Sequence, residues 1–336
     1  MIRATAQAIH PGIAWDLVDR GAAKMADAAR VLVDRLDPGQ RALTLFPLAA
    51  EARRDWDYRP RRRPGLPLRD MREDQRAACW RLVDSVLSES GAAKARGVLA
   101  LEAILQERTS NKAFRDPLNY ALTLFGTPGD GPWAWRFEGH HLSLTVTLAP
   151  GVGMAVTPHF LGANPLSGRV VEDGHGGLER VLERESALAF AAVDALTPAE
   201  FSRALIAPQP PPDFLTGPGR EDSLREPAGL ALGQMRPDAR GLVERIVEAF
   251  LGHLAPDYAT PLGQALRAAG IDTLHFAWAG GTTPDRLHYY RLHGPTLLIE
   301  YDRTDADHAH SVWHDPRDHF GEDQLRRHRE LAHDHP

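Results

Sequence analysis

Apolar residues recur at helical spacing in two places, and the same sequence pattern precedes both. The segment GLPLRDMREDQR at 65–76 and the segment GLALGQMRPDAR at 229–240 share the pattern G-L-x-L-x-x-M-R-x-D-x-R. After each segment, apolar side chains follow an i, i+1, i+4, i+5 spacing, which predicts an amphipathic helix. The apolar positions are Ala78, Cys79, Leu82, Val83, Val86 and Leu87 in the first helix, and Leu242, Val243, Ile246, Val247, Phe250 and Leu251 in the second. The pattern predicts the same local structure twice.

The chain after each of these helices changes to an alternation of apolar and polar residues. Such alternation, rich in aromatic and β-branched residues, predicts paired strands, with Gly139 or Gly294 in the turn between them. The predicted strands cover 133–138 and 141–148 in the first case, and 286–292 and 295–302 in the second. A further helical pattern follows, at 176–196 and again at 321–333. The order of predicted elements is therefore the same in both parts of the chain.

These matches predict an internal duplication. We expect a first unit at residues 1–175 and a second unit at 176–336. Each unit consists of helices, then a β-hairpin or small antiparallel sheet, then a closing helix, which is an α+β architecture. The two halves are expected to be related by a pseudo-two-fold axis and to pack as one globular body with a cleft between them.

Composition and charge restrict the class of protein. The net charge of −6 gives no general attraction to nucleic acid or to anionic membranes. No apolar run is long enough to span a bilayer, and the N-terminus lacks the apolar stretch of a secretory signal. The single cysteine, Cys79, excludes an internal disulfide and a cysteine-based zinc site. We expect a soluble, cytoplasmic protein that acts on a small molecule, with neither nucleic acid nor membrane as a partner.

Histidines are numerous, and two close pairs among them are the main candidates for metal binding. Of the 16 histidines, His140 and His141 lie in the first hairpin, at a place where the second copy has no histidine. His308 and His310 are two residues apart, so a strand would direct both imidazoles to one side, where they could share an ion. His159 aligns with His314 of the second copy and is a further candidate ligand.

Two carboxylates accompany these histidines. Glu300 and Asp302 are also two residues apart near a strand end, so both are expected to project from one face and to act as metal ligands or as a general base. Imidazole together with carboxylate suits zinc, iron or copper. H-x-H alone is a common pattern, and the alternative interpretation is a polar loop with solvated histidines. That alternative is preferred for the last three histidines, His328, His333 and His335.

An arginine-rich segment, RRDWDYRPRRRPGL at 53–66, is the candidate for substrate binding. Guanidinium groups flanked by aromatic rings suit a carboxylate or phosphate group, and Arg54 and Arg63 are the first candidates. The alternative is structural, with arginines stacked on aromatic rings to hold an irregular loop. A second irregular segment, rich in proline, lies at 206–229.

Several segments together resemble a known family. WAWRFEGHHLSLTVTL, TPHFLGANP, FAWAG, HYYRLHGPTLLIEYD and HAHSVWHDPRDHFGEDQLRRH are similar to the domain-of-unknown-function family numbered 3500. The GHH and H-x-H elements of that family correspond here to His140-His141 and His308-His310, followed by an element from Asp318 to His328. The resemblance implies no established activity, cofactor or catalytic residue.

The residues taken together favour a metal-dependent enzyme with its site in the cleft between the halves. A hydrolase, in which the metal activates a bound water molecule, is slightly preferred. An iron or copper oxidoreductase remains open, as does a non-catalytic protein that binds a metal or a small anion. A purely structural role of the histidines, joining loops across the pseudo-two-fold axis, is the remaining alternative.

Overall fold

The described part of the chain forms nine α-helices, seven short 3-10 helices and fifteen strands. The computed structural model describes residues 13–110, 112–173 and 177–333. The helices in these ranges are α1 (Trp15–Arg35), α2 (Pro38–Thr44), α3 (Glu73–Asp84), α4 (Glu89–Arg108), α5 (Glu183–Ala195), α6 (Pro198–Ala204), α7 (Pro237–Leu251), α8 (Pro256–Ala268) and α9 (Glu322–His333). Short 3-10 helices lie at Glu51–Arg53, Leu68–Asp70, Pro117–Asn119, Glu221–Ser223, Leu232–Gln234, Ile271–Thr273 and His319–Gly321.

The strands of the described residues fall into one large sheet and one small one. They are β1 (Leu45–Phe46), β2 (Leu66–Pro67), β3 (Ala121–Phe125), β4 (Trp133–Gly139), β5 (Leu142–Ala149), β6 (Gly153–Ala155), β7 (His159–Ala163), β8 (Val170–Glu172), β9 (Leu178–Arg180), β10 (Leu205–Ala207), β11 (Leu230–Ala231), β12 (His275–Gly280), β13 (His288–His293), β14 (Leu298–Asp305) and β15 (His308–His314). Strands β8 and β9 form the small sheet by themselves.

The large sheet is mixed and runs without interruption through both parts of the chain. Its order is β1-β3-β4-β5-β7-β15-β14-β13-β12-β10, so β7 and β15 pair at its middle. The outermost pairs, β1 with β3 and β10 with β12, are parallel, whereas the other neighbours are antiparallel. The short strands β2, β11 and β6 pair with β3, β12 and β5. The α+β class predicted from the sequence is confirmed.

Helices α2 and α6 begin with the same local chemistry. Asp37 accepts a hydrogen bond from the Gln40 amide, and the Gln40 side chain accepts one from the Asp37 amide. Thr197 and Glu200 form the same reciprocal pair at the start of α6. Each cap satisfies two backbone groups that a helix start otherwise leaves unpaired, and proline follows as the first helical residue.

The main hydrophobic core lies against one face of the large sheet. Helices α1, α3, α4, α5, α7 and α8 contribute buried apolar side chains to a single cluster with the strands. Trp135, Phe137, Tyr290 and Ile299 are fully buried in that cluster and belong to one face, because they alternate along their strands with polar residues. Among the described residues, no helix has both the length and the apolar character that crossing a membrane requires.

The opposite face of the sheet is polar but also buried. Cross-strand neighbours on this face run from Gly162 through His310 and Asp302 to Tyr289. A second apolar cluster covers it, made of Trp56, Tyr58, Phe160, Phe214, Val312 and Phe320. Two of its aromatic residues come from the arginine-rich segment and one from the proline-rich segment. The two irregular segments of the sequence therefore cover the polar face of the sheet.

Some local predictions differ from the structure. The helix predicted at 176–196 begins only at Glu183, because residues 178–180 pair with β8 as strand β9. The second hairpin starts two to three residues later in each strand than predicted, at His288 and Leu298. The boundary placed at residues 175 and 176, and the tail residue His335, lie outside the described residues.

Candidate histidine site

The tight turn between β4 and β5 carries the first two histidines of the site. Gly139 pairs with Leu142, so His140 and His141 form a two-residue turn. The backbone of His141 is left-handed, with φ of 63°. A residue with a Cβ atom pays about 1–3 kcal/mol for this conformation, and strain of this kind often occurs at functional sites.

Hydrogen bonds from other parts of the chain hold this turn in place. All three backbone oxygens of residues 139–141 accept such a bond. The donors are Arg63 Nη2 to the Gly139 oxygen (3.0 Å), the Tyr120 hydroxyl to the His140 oxygen, and the Gly162 amide to the His141 oxygen (2.7 Å). The His141 amide in turn donates to the Tyr58 oxygen at 3.0 Å. These contacts fix the direction of the His141 side chain.

Strand β15 brings two more imidazoles to the same place. His308 and His310 project from one face of β15, and His310 pairs with Gly162 of β7. The Nε2 atom of His141 lies 2.9 Å from Nε2 of His308 and 3.4 Å from Nε2 of His310. Three imidazole nitrogens, one from the first half and two from the second, therefore converge on one point.

These separations match those of ligands that share one metal ion. Ligand atoms of His141, His308 and His310 all lie within 4.8 Å of one another. With metal–nitrogen bonds of about 2.0–2.1 Å, two ligand nitrogens lie about 3.4 Å apart at a tetrahedral angle and about 2.9 Å apart at a right angle. A single proton between two of the rings leaves the third ring without a partner, whereas one cation satisfies all three.

Two of the three converging histidines, His141 and His308, are held in the neutral form. Burial lowers the pKa of His308 to about 4 and that of His140 to about 2, and it lowers the pKa of His141 well below the usual value. Neighbouring histidines add to the effect for His308 and His141, and the charge of Arg115 adds to it for His140. Neutral imidazoles carry the lone pair that metal coordination requires.

Asp213 orients His310. Nδ1 of His310 lies 3.0 Å from Asp213 Oδ1, and a carboxylate can only accept, so Nδ1 carries the proton and Nε2 is free to bind an ion. The Tyr58 hydroxyl and the Phe214 amide also donate to Asp213. Burial raises the pKa of the Asp213 carboxyl, but the bonds from His310 and Tyr58 outweigh burial and leave that pKa below its usual value.

Glu300, one of the two predicted catalytic carboxylates, is fully buried and holds the proline-rich segment. It accepts hydrogen bonds from the Leu215 amide (2.8 Å), from the Thr216 amide (2.8 Å) and hydroxyl, and from the Tyr289 hydroxyl (2.6 Å). These bonds anchor the segment next to Asp213. With its oxygens occupied, Glu300 is suited to positioning rather than to proton transfer.

Asp302, the other predicted catalytic carboxylate, is buried with only 1% of its surface exposed. Neither of its oxygens has a hydrogen-bond partner among the described residues, and Oδ1 lies 3.7 Å from His310 Nδ1. Burial raises the pKa of Asp302 well above its usual range, the charges of Asp213 and Glu300 raise it further, and the backbone amide of Phe214 opposes them without reversing the shift. The ligand atoms of Asp213, Asp302 and His310 lie within 4.8 Å of one another.

His140 stacks on His141 with ring centroids 3.6 Å apart, on the side of the turn that faces helix α4. Its Nδ1 contacts the Glu102 carboxylate, and Arg115 Nη1 lies 2.7 Å from its Nε2. Burial raises the pKa of Glu102 to about 7, although the charge of Arg115 opposes this. His140 therefore packs against a metal-ligand candidate without joining the converging nitrogens.

The remaining predicted residues lie elsewhere. His159 belongs to the opposite face of β7 from Phe160 and Gly162, and its ring stacks on His253 at 5.6 Å. Arg63 directs its guanidinium to backbone oxygens of the arginine-rich segment and of the turn. Arg54 is exposed and forms an ion pair with Glu322 at 2.8 Å. These contacts favour structural roles for all three residues.

Sequence reasoning missed Asp213, Glu102 and Arg115. Asp213 follows a run of prolines, where nothing in the local pattern indicates burial. Glu102 lies on helix α4, but its side chain is buried like the apolar residues around it. The sequence offers one signal for Glu102, a charged residue at an apolar position of a helical pattern. A carboxylate buried at such a position needs a partner.

Fold and site together define a class: an α+β protein with one mixed sheet, whose buried polar face carries three converging imidazoles and two adjacent carboxylates. The model of the protein family DUF3500, described as a protein of unknown function, matches residues 19–322, and the chain belongs to that family. The resemblance inferred from the sequence segments is thus confirmed. No curated protein and no solved structure matches the chain.

Proposed function

We propose that the protein is a metal-dependent enzyme whose ion is bound by the Nε2 atoms of His141, His308 and His310. One observation carries the proposal, namely that ligand nitrogens of these three histidines lie within 4.8 Å of one another, with two of the separations at 2.9 and 3.4 Å. Asp213 supports it, because a carboxylate on the far nitrogen of a ligating histidine fixes the ring and makes it a stronger ligand. Zinc, iron and copper all accept such a donor set.

Hydrolysis of a small molecule is the preferred reaction. Three protein ligands leave a coordination position open for water, and a bound divalent cation lowers the pKa of that water to about 7. His308 provides the approach for a substrate, because its side chain is 21% exposed while His310 is 4% exposed. Asp302 remains the candidate for a ligand or general base, since Glu300 is occupied by four hydrogen bonds.

Metal analysis of the purified protein tests the proposal. We expect the wild-type chain to hold one metal ion at the three histidines. The double variant His308→Ala/His310→Ala should lose that ion. His328→Ala is the matched control, because it removes a histidine on α9. A double variant that keeps its full metal content would overturn the ligand assignment. Absence of turnover of esters, amides and phosphoesters by the metal-loaded protein would overturn the hydrolase assignment.

An oxidoreductase is the second candidate, since a donor set made only of histidines suits copper and iron as well as zinc. Oxygen uptake by the iron- or copper-loaded protein in the presence of a reductant would favour it over hydrolysis. A protein that binds the metal tightly and shows neither activity would instead be a metal-binding protein without catalysis.

We also propose that the two halves arose by duplication and are related by a pseudo-two-fold axis between β7 and β15. The strand order supports this, since β5, β4, β3 and β1 extend from β7 just as β14, β13, β12 and β10 extend from β15. The register supports it too. Thr147 pairs with Ala155 and Asp302 pairs with His310, positions that correspond when the repeats are aligned at Arg136 and Arg291; in this alignment β6 and β7 together correspond to β15. Superposition of the halves in an experimental structure tests it.

A further inference from the structure

A second group of ligand atoms adjoins the three imidazole nitrogens. It consists of the carboxylates of Asp213 and Asp302 and the Nδ1 atom of His310. His310 is common to both groups, with Nε2 directed toward His141 and Nδ1 directed toward the carboxylates. The two nitrogens of one imidazole ring therefore point to two different groups of ligand atoms.

Asp302 is the observation that points to a ligand. Its carboxyl group is almost completely buried, and neither oxygen has a hydrogen-bond partner within 3.5 Å among the described residues, the Phe214 amide being a more distant donor. A buried polar group without a partner costs free energy, and a buried carboxylate costs more. Adding a proton does not remove the problem, because the new hydroxyl group would also need an acceptor. A cation bound to Asp302 provides the partner that the surrounding side chains do not provide for its oxygens.

The charges around the second group also favour a cation. Asp213 and Asp302 have ion-pair contacts with His310, and no lysine or arginine in the described ranges pairs with either. Two carboxylates this close together in a buried place repel each other unless one of them is protonated or positive charge lies between them. Their geometry leaves such a position, since Asp213 Oδ1 and Asp302 Oδ1 lie 3.0 and 3.7 Å from the same nitrogen.

We propose that Asp213, Asp302 and His310 Nδ1 bind a second divalent cation, and that His310 bridges it to the cation held by His141 and His308. The inference rests on the proposed three-histidine site. The second cation replaces the proton on Nδ1 and binds Asp302 as a carboxylate, so its binding releases the Nδ1 proton, together with the carboxyl proton where Asp302 is protonated, and leaves His310 as an imidazolate with an ion on each nitrogen. Given metal–nitrogen bonds of about 2.0–2.1 Å, the two ions lie roughly 6 Å apart. Oxygen and imidazole ligands suit zinc or manganese there.

Titration of the metal-free, full-length protein with Zn²⁺, followed by dialysis and metal analysis, tests the inference. We expect two zinc ions per wild-type chain and one in Asp302→Asn, which keeps the shape of the side chain and removes its charge. Asp257→Asn, which removes a surface carboxylate on α8, should still bind two. The Cu²⁺-loaded wild type should show magnetic coupling between its two ions in electron paramagnetic resonance, and Asp302→Asn should show the spectrum of an isolated ion.

The outcomes separate this inference from the three-histidine site. One zinc per wild-type chain, kept in Asp302→Asn and lost in His308→Ala/His310→Ala, overturns the second site and leaves the first intact. No zinc in the wild type overturns both. One zinc that is lost in Asp302→Asn but kept in His308→Ala overturns the three-histidine site instead. If Asp302→Asn does not fold, the wild-type stoichiometry decides: two ions support the second site and one overturns it.

Discussion

The imidazole of His141 packs directly on the backbone of Gly162. A Cβ atom on Gly162 would lie 2.8 Å from both Cγ and Cδ2 of His141 and 3.0 Å from its Cβ, which is closer than such atoms approach. The same glycine donates its amide hydrogen to the His141 oxygen and pairs with His310 across the centre of the sheet. The absence of a side chain at position 162 therefore creates the space in which the first half's ligand meets those of the second.

Gly162→Ala is predicted to weaken metal binding without unfolding the protein. The added methyl group forces the His141 ring away from the Nε2 atoms of His308 and His310. Misplacing this ligand should lower the affinity for the metal about 10–100-fold, which is the usual effect of losing a residue that orients a metal ligand. Competition with a chromophoric chelator measures the affinity. Gly241→Ala on α7 is the matched control, because a Cβ there meets nothing within 4 Å. Equal affinity in Gly162→Ala and wild type would show that the ring position is not critical.

Glu300→Gln is predicted to destabilise the fold and to weaken metal binding together. The amide loses the charge that strengthens four hydrogen bonds, and its NH₂ group must face the backbone N–H of either Leu215 or Thr216, which can only donate. We expect a loss of about 2–4 kcal/mol in the free energy of unfolding by urea. Glu330→Gln, an exposed change on α9, should have little effect. A variant of unchanged stability with abolished turnover would instead make Glu300 a catalytic residue.

The strands that carry the histidines follow from local sequence patterns, whereas the residues around them do not. The alternation of apolar and polar residues and the spacing of His308 and His310 are properties of a few neighbouring residues. The sequence therefore predicts the strand and the shared side of the two imidazoles. The pairing of β7 with β15, which brings His141 to His310, joins segments about 150 residues apart and leaves no local trace. The register of that pairing determines which candidate residues lie close together. It also places His159 on the face of the sheet opposite to His310.

The irregular segments were the least predictable part of the site. Asp213 and Tyr58 lie in loops whose composition indicates only an extended chain, and their positions depend on Glu300 and Arg63 at a distance. Arg63 was predicted as a substrate ligand because guanidinium groups suit anions. Backbone oxygens offer the same group equally good acceptors, and sequence alone does not distinguish the two uses.

His288→Phe is predicted to make the protein less sensitive to acid. His288 is fully buried against Trp278 and Tyr301, and burial lowers its pKa to about 4. The unfolded chain binds a proton near pH 6.5 while the folded protein does not, so His288 favours folding above pH 6.5 and loses that contribution as pH falls from 6.5 to about 4. The loss amounts to about 3 kcal/mol.

Urea unfolding of the metal-free protein at pH 7.5 and pH 4.5 measures this contribution. The difference in unfolding free energy between the two pH values should be smaller in His288→Phe than in wild type by about 2–3 kcal/mol. Comparing the two proteins cancels the contributions of the other buried histidines and of carboxyls with raised pKa, which act in the opposite direction. The same pH dependence in both proteins would show that His288 accepts its proton without unfolding.

Lys94→Met is predicted to be among the most destabilising single changes. Lys94 is 1% exposed on α4, and its Nζ lies 2.7 Å from Glu179 and 3.1 Å from Glu185. Glu185 lies in the first turn of α5, in the second half of the chain, and also binds His253 at 2.7 Å. Burial raises the pKa of Glu185, but Lys94 and His253 outweigh it and hold that pKa far below its usual value, so removal of the cation leaves a buried charge without its partner. Such a loss costs about 3–5 kcal/mol.

The same helix offers a matched control two residues away. Arg96 forms an ion pair of 2.8 Å with Asp84, but its side chain is 45% exposed and that of Asp84 is 39% exposed, so Arg96→Met should cost about 1 kcal/mol. The double variant Lys94→Met/Glu185→Met should be more stable than Lys94→Met alone, because it removes the unpaired charge together with its partner. Urea unfolding of all four proteins measures these differences. If Lys94→Met and Arg96→Met cost the same, the buried pair does not join the two halves of the chain.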